Sequence, residues 1–448
     1  MIKKLILLFF LATTFGYAQH TITGKMQPAG DYEWMILYHM QGAKQNYIAN
    51  ADIKEGAFSF TLSDTLNVGI YRLVYDLQNQ LFIDVIYNNE DIAFTFNPEN
   101  PNHEIQFTSS EENKLYYSYL NKSAGIQYTL DSLQVAYFST QNKPKLNTLY
   151  QKKHADLVKT QEQSEKQSKG KLAYHFIKAS GRYNASQPIE KPNDYLKSTK
   201  THFFDTVDFN NETLLGSTFI TDKINDYIFY LNASDDYQVN NQLKKEAITT
   251  VVTKIGTNYR LAKDIEEVLL YNFTQQQNVP IVQFILENYY NKLPASYQDL
   301  DFKKDVEVKI KTAIGNKAPN INWTINNVKN NLYKLSESDT YIVVFWSSQC
   351  GHCLKEIPVL NDYLKGNTKI KVIAVGMEEE TSKPIWQKLI LNYPSFINVY
   401  GAHKWKNEFA QEYGVTSTPS YFILDANKNI LAKPDTIEDV KAFFEGKN

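Results

Sequence analysis

The sequence predicts a multidomain protein: an N-terminal β-sandwich-like domain, a central helical region and a C-terminal α/β domain. Three observations predict it. Apolar residues alternate with polar ones in short runs up to about residue 107. They then recur at helical spacing to about residue 314, and beyond it strand-like and helix-like segments alternate. At 448 residues, 43% of them hydrophobic, the chain has apolar side chains enough for several cores.

Residues 1–18 stand apart as a secretory signal. Lys3 and Lys4 form a basic start, Leu5 to Phe15 an apolar stretch, and Gly16-Tyr17-Ala18 a small-residue cleavage site. The apolar stretch is too short to span a bilayer comfortably, and no other segment is long and apolar enough for a membrane helix. No cysteine follows the cleavage region, which argues against lipid attachment. The mature protein is therefore expected to be exported, soluble and periplasmic, with no stable membrane insertion.

Residues 19–108 form the expected β domain. Its strands are read at 34–38, 58–62, 70–75, 81–87 and 92–96, with breaks at Asn88-Asn89 and Pro98. Residues 109–314 form the helical region. Ile220, Ile224, Ile228 and Leu231 share one helical face, further helices fall at 264–271 and 281–290, and Pro280 suits a helix start. The Lys- and Gln-rich stretch 141–171 predicts long solvated helices. Gly315-Asn316-Lys317-Ala318-Pro319 opens the last domain, 315–448. Strands are expected there at 341–346, 370–375, 396–400, 420–424 and 430–432, the last two joined by a turn at Asp425-Ala426-Asn427. Helices are expected at 353–364, 383–391, 404–413 and at the C-terminus.

Net charge is −2, Arg72, Arg182 and Arg260 are the only arginines, and the lysines are scattered, so no nucleic-acid partner is expected. The chemistry concentrates in Cys350-Gly351-His352-Cys353, which holds the only two cysteines. The pair follows strand 341–346 and the polar turn Ser347-Ser348-Gln349, which puts Cys350 at a helix start. Unpaired N–H groups and the positive dipole end favour a thiolate there. Cysteines of such motifs have pKa values of roughly 3.5–7.5. Cys350 is thus the expected nucleophile, and Cys353, one turn in and less exposed, the resolving thiol. Protonated His352 would stabilise the thiolate and make the couple more oxidising.

Competing readings are weaker. Haem attachment needs His directly after the second cysteine, where Leu354 stands. A metal site needs further ligands, and His403 is the domain's only other histidine, so no metal is expected. A purely structural disulfide would close a tiny loop and constrain almost nothing. In an oxidising compartment an isolated pair of this kind cycles as a redox couple.

The segment from Phe345 to Cys353, with Pro358 beyond it, resembles the active-site segment of thioredoxin-fold proteins. Gly414-Val415-Thr416-Ser417-Thr418-Pro419-Ser420-Tyr421-Phe422 resembles their cis-proline segment. The long interval from Cys353 to Pro419 has room for an extra strand–helix unit. Together with the Gly315-to-Pro319 opening it resembles the exported TlpA/ResA-like branch, of the Bacteroidetes type with an N-terminal β-rich extension. The resemblance implies that Pro419 is cis and faces the couple, that Thr418 offers backbone groups to a bound substrate strand, and that Trp346 lies on the substrate side. It also implies that Glu356, three residues after Cys353, assists proton transfer, Val344 standing where thioredoxin has a buried Asp. Gln349 departs from the Trp common before the first cysteine.

The implied activity is that of a protein thiol-disulfide oxidoreductase working reductively on protein disulfides. It needs no cofactor (NAD, flavin or metal), and a membrane thiol carrier is expected as electron donor. A disulfide isomerase is one alternative, since the Gly351-His352 dipeptide resembles that of protein disulfide isomerases. A non-enzymatic binding or assembly protein with a redox-sensing dithiol is the other. A peroxiredoxin is disfavoured: Ser347 fits its motif but Val343 stands where that motif has Pro, and no arginine follows Arg260. Oligomeric state is left open.

Overall fold

The computed structural model describes residues 19–101, 104–325 and 327–446. The expected signal segment 1–18 lies outside the described residues. The chain forms two compact units, one ending at Asp264 and the other beginning at Ile265.

The first unit opens with eight strands: β1 (Thr21–Met26), β2 (Trp34–Gln41), β3 (Lys44–Asp52), β4 (Ala57–Thr61), β5 (Gly69–Asp76), β6 (Leu81–Tyr87), β7 (Ile92–Phe96) and β8 (Ile105–Phe107). They pair as two four-stranded sheets, β4-β1-β7-β8 and β3-β2-β5-β6. One core built from both sheets holds Ile22, Phe60 and Phe94 together with Leu37, Tyr71 and Val85, a sandwich arrangement. Alternation is plain in β4, where Phe58 and Phe60 are buried and their neighbours exposed. Strands β1, β3 and β8 are additions to the sequence reading. β3 is exposed along most of its length, and so carries no alternating apolar signal.

Helices follow: α1 (Glu111–Ser139), α2 (Lys143–Ser168), α3 (Leu172–Ala179), α4 (Pro192–Thr201), α5 (Glu212–Leu215), α6 (Phe219–Asn225) and α7 (Tyr237–Ile255). Two buried polar residues at the start of α1 tie it down. The Asn113 amide accepts from Ile86 N–H and donates to Ile86 C=O, and the Glu112 carboxylate accepts from the N–H groups of Leu172 and Ala173 at the start of α3. α2 buries only Tyr150 and Ser168, as its composition predicts. Ile220, Ile224 and Ile228 are buried, but a π-helical turn at Asp226–Leu231 interrupts the spacing and leaves Leu231 half-buried.

The unit boundary falls within α8 (Tyr259–Gln275). The second unit continues through α9 (Val279–Asn288), α10 (Leu300–Lys311) and the hairpin of β9 (Asn322–Ile325) and β10 (Val328–Asn331). Pro280 sits in the first turn of α9, where a missing N–H is harmless.

The α/β domain follows. It contains β11 (Thr340–Trp346), α11 (Gly351–Tyr363), β12 (Ile370–Glu378), α12 (Lys383–Leu389), β13 (Ile397–Ala402), α13 (Glu408–Tyr413), β14 (Ser420–Asp425), β15 (Ile430–Ala432) and α14 (Ile437–Phe444). Their sheet order is β13-β12-β11-β14-β15, with β11 parallel to β12 and antiparallel to β14. As the central strand, β11 is buried on both faces. Tyr341, Val343 and Phe345 enter one core with Phe409 and Tyr413 of α13; Ile342, Val344 and Trp346 enter the other with Cys353, Ile357 and Leu360 of α11 and Val440 of α14.

Two details differ from or sharpen the sequence reading. The expected helix 404–413 is broken: Lys404–Lys406 is a 3-10 turn, and Asn407 in extended backbone caps α13 by accepting from the N–H groups of Phe409 and Ala410. Gly376 in β12 has no room for a side chain, because a Cβ there would lie 2.1 Å from Trp386 Nε1. Among the described residues no helix is long and apolar enough to cross a membrane.

Candidate active site

The site is assembled by strand register. Phe345 of β11 pairs with Ser420 of antiparallel β14, so the turn leaving β11 and the residues entering β14 meet at one sheet end. Trp346 pairs with Gly376 of parallel β12, which brings the end of β12 to the same place. Open α/β sheets hold their sites at this end of the parallel strands.

Cys350 is the N-cap of α11, in extended backbone, and its sulfur accepts from the Cys353 N–H at 3.3 Å. The same sulfur is 3.2 Å from the carbonyl oxygen of Thr418, to which the thiol can donate. The Thr418–Pro419 peptide bond is cis. Both cysteines are free thiols, with Cys350 half-buried and Cys353 fully buried. Their acidities diverge. Burial alone would raise the pKa of Cys350, but hydrogen bonds involving Cys353, the Thr418 side chain and the backbone N–H groups of the first helical turn bring it below the ordinary thiol value. Burial pushes the Cys353 thiol up to about 12, and its hydrogen bond with Cys350 adds to the rise. One thiol is thus poised to ionise and the other to hold its proton.

The remaining sequence-predicted residues spread around this pair. His352 is exposed on the first turn of α11. Glu356 is half-buried, and its Oε2 accepts from Tyr421 O–H at 3.0 Å and from Ile437 N–H at 2.9 Å. Val344 is fully buried. Trp346 departs from the expectation of a substrate-side residue. Only 1% exposed, it packs edge-on against Tyr393 beneath α11, because the alternation of β11 turns it into that core. Gln349 is the exposed residue beside Cys350. His403 stands on a left-handed turn, and no cluster of metal-ligating side chains occurs among the described residues.

Sequence reasoning missed a buried carboxylate under the redox loop. Glu378, the last residue of β12 and 0% exposed, accepts from Ser348 N–H at 2.5 Å, Ser348 Oγ at 2.9 Å and Ser382 Oγ at 2.6 Å. It pins the turn that presents Cys350. The only signal in the sequence is an acid closing an otherwise apolar strand, which reads as an ordinary strand end. Tyr421 was likewise read only as part of the cis-proline segment and the strand that follows it, with no role of its own.

Chemically, the arrangement offers an accessible thiol of lowered pKa, a buried thiol one turn away and a cis-proline edge beside the first. That is the equipment for thiol-disulfide exchange.

Comparison with known proteins places this geometry. Residues 313–439 match the Redoxin family model, and residues 20–116 match a domain of unknown function, DUF4369. The chain is similar to the thiol-disulfide oxidoreductase ResA of Geobacillus thermodenitrificans (strain NG80-2), at 24% identity over 146 residues, which is 31% of this chain and 79% of that protein. A solved domain of a possible thiol-disulfide isomerase from Cytophaga hutchinsonii is 32% identical, over 30% of this chain and 92% of that one, with a TM-score of 0.26. A thioredoxin-like protein from Bacteroides caccae is 17% identical over 60% of this chain and 98% of that one, with a TM-score of 0.29. The C-terminal domain thus matches the Redoxin family and is similar to thiol-disulfide oxidoreductases of the ResA kind.

Proposed function

We propose that the protein is an exported, periplasmic oxidoreductase that reduces disulfides in protein substrates through Cys350 and Cys353. The observation that carries this reading is the divergence of the two thiols within one helical turn. Cys350 is half-buried with a lowered pKa, and Cys353 is sealed with a pKa near 12. In this scheme the Cys350 thiolate attacks a substrate disulfide, forming a mixed disulfide and releasing one substrate thiolate. Cys353 then gives up its proton and attacks Cys350 Sγ. The second substrate thiol leaves, and the pair is oxidised by two electrons.

Within that reading Thr418 and cis Pro419 hold an extended substrate strand, His352 favours the Cys350 thiolate when protonated, and Glu356 handles the Cys353 proton. Domain limits at 19–108, 109–314 and 315–448, removal of residues 1–18, and re-reduction by a membrane thiol carrier belong to the same proposal. Disulfide isomerisation is the second reading, favoured by the Gly351-His352 dipeptide and by the isomerase name carried by the Cytophaga relative.

The test is the reduction potential of the Cys350–Cys353 couple, measured against glutathione or dithiothreitol, together with Cys350→Ser. A potential near about −270 mV supports reduction, and one of about −180 to −120 mV supports isomerase or oxidase work. Absence of a reversible couple, or full biological function in Cys350→Ser, would leave the dithiol no catalytic role and return the protein to the binding class.

A further inference from the structure

Glu356 has a partner that the proton-transfer scheme does not use. Among the described residues its carboxylate makes no hydrogen bond with Cys353. Its Oε2 instead accepts from the Tyr421 hydroxyl and from the N–H of Ile437, the first residue of α14. Tyr421 lies on β14 opposite Val344, and it is 1% exposed in the same core as Cys353.

We infer that Tyr421 is the positioning residue through which Glu356 serves the buried Cys353 thiol. The inference rests on the reading of Glu356 as the proton-handling acid. The geometry supports it in three steps. Cys353 and Glu356 are three residues apart on α11 and so share a face. A half-buried glutamate on that face would turn its carboxylate to solvent unless held. Tyr421 and the α14 backbone hold it inward, from two elements brought there by the sheet and by the Thr436 cap of α14. Burial raises the Tyr421 hydroxyl far above its ordinary value, with Glu356 and then Cys353 adding to the rise and Glu438 of α14 contributing last. The hydroxyl therefore remains a donor at every physiological pH, and its charge environment includes both the acid it holds and the Cys353 thiol. When Cys353 attacks, its proton passes to Glu356, one proton moving and no electrons. The electron pair forming the new S–S bond comes from Cys353 sulfur, and the pair of the broken bond leaves with the departing thiolate.

The experiment uses the reduced full chain and 5,5′-dithiobis(2-nitrobenzoate). The first thionitrobenzoate released reports attack by Cys350, and the second reports attack by Cys353 on the resulting mixed disulfide. Tyr421→Phe, Glu356→Gln and the double variant are compared by stopped flow across the pH range, with thermal unfolding as a check on folding. The expected result is that Tyr421→Phe slows the second release roughly five-fold, the value of one ordinary hydrogen bond, and displaces its pH profile while the first release is unchanged. It should add nothing further in the Glu356→Gln background. Equal slowing in both backgrounds would show that Tyr421 acts by packing and overturn the inference. An unaffected Tyr421→Phe beside a slowed Glu356→Gln would overturn it and leave the role of Glu356 standing. If Glu356→Gln itself leaves the second release unchanged, the underlying reading of Glu356 falls and takes the inference with it. If Tyr421→Phe does not fold, Tyr421→His, smaller than tyrosine and still carrying a ring N–H donor, replaces it: a second release faster than that of Glu356→Gln supports a donor role, and one as slow as Glu356→Gln refutes it.

Discussion

Replacing Glu378 should separate the support of the redox loop from its chemistry. Glu378 is fully buried and receives three donors: Ser348 N–H, Ser348 Oγ and Ser382 Oγ. In Glu378→Ala the Ser348 N–H has nowhere to turn, and an unsatisfied buried donor costs about 1–3 kcal/mol. The lost side-chain volume adds to this, whereas Ser382 Oγ keeps the alternative acceptor Glu379 C=O at 3.0 Å. A total of roughly 3 kcal/mol is expected. In Glu378→Gln the amide oxygen can still accept from Ser348 N–H while the serine hydroxyls rotate to accept from the NH2 group, so only about 1 kcal/mol should be lost. For a unit of this size that corresponds to a fall in Tm of roughly 6–12 °C for Ala and 2–4 °C for Gln. Four of the five tryptophans, Trp323, Trp346, Trp386 and Trp405, lie after Ile265, so tryptophan fluorescence reports mainly on this unit. Insulin reduction by the same variants should fall in the same order, Ala below Gln below wild type. An unchanged Tm in Glu378→Ala, or equal losses in Ala and Gln, would refute the argument that an acceptor beneath Ser348 sets the loop.

The remaining predictions concern single groups. Alkylation of Cys350 by iodoacetamide should rise with a midpoint below the ordinary thiol value of about 8.5, and Cys353 should remain unlabelled at neutral pH. Because the folded pKa of Cys350 is depressed, the stability it lends the reduced form is present above the unfolded thiol pKa and lost as pH falls through the folded one. Reduced protein titrated in that window, with Cys350→Ser as control, checks the sign. Cys353→Ala should accumulate mixed disulfides with substrate proteins, visible as non-reducing gel bands that vanish with dithiothreitol. Glu266 is buried, its Oε2 is unpartnered, and burial raises its pKa to about 8. A carboxyl raised in this way is destabilising once the unfolded chain ionises, so stability should fall between about pH 4.5 and 8, and Glu266→Gln should restore on the order of 2–4 kcal/mol at pH 8. Gly376→Ala should cost roughly 1–3 kcal/mol by pressing on Trp386, measurable as a lower Tm.

Legibility in the sequence followed how local each determinant is. The alternation in 58–62 and 92–96 marks strands because one face of each is buried, whereas β3 has no fully buried residue and left no pattern. The CxxC pair and the proline announce themselves through residue types that have few other uses. Cys350 at the N-cap and the cis Thr418–Pro419 bond stand where the sequence and its family resemblance place them. Glu378 and Tyr421 could not be read in the same way. Their significance depends on pairings such as Trp346 with Gly376 and Val344 with Tyr421, which join segments dozens of residues apart. Trp346 fails in the opposite direction: its place beside the motif suggests a surface role, and only the strand's own alternation sends it inward.

The two thiols also bear on the direction of electron flow. Each hydrogen bond that lowers the pKa of Cys350 stabilises the reduced, thiolate form, and so makes the disulfide easier to reduce. Cys353 gives no such help, since a thiol held near pKa 12 stays protonated and must be deprotonated before it can close the ring. On the proposed roles of the two thiols, the site stabilises its reduced state at one sulfur and slows its own oxidation at the other. A couple of this kind can act as a reductase only when a donor of lower potential keeps it reduced, and its turnover then rests on how fast Cys353 loses its proton. Raising bulk pH should accelerate closure of the mixed disulfide more than its formation, because Cys350 is ionised well before Cys353. Equal acceleration of both steps would show that the pKa gap between the thiols does not govern the exchange.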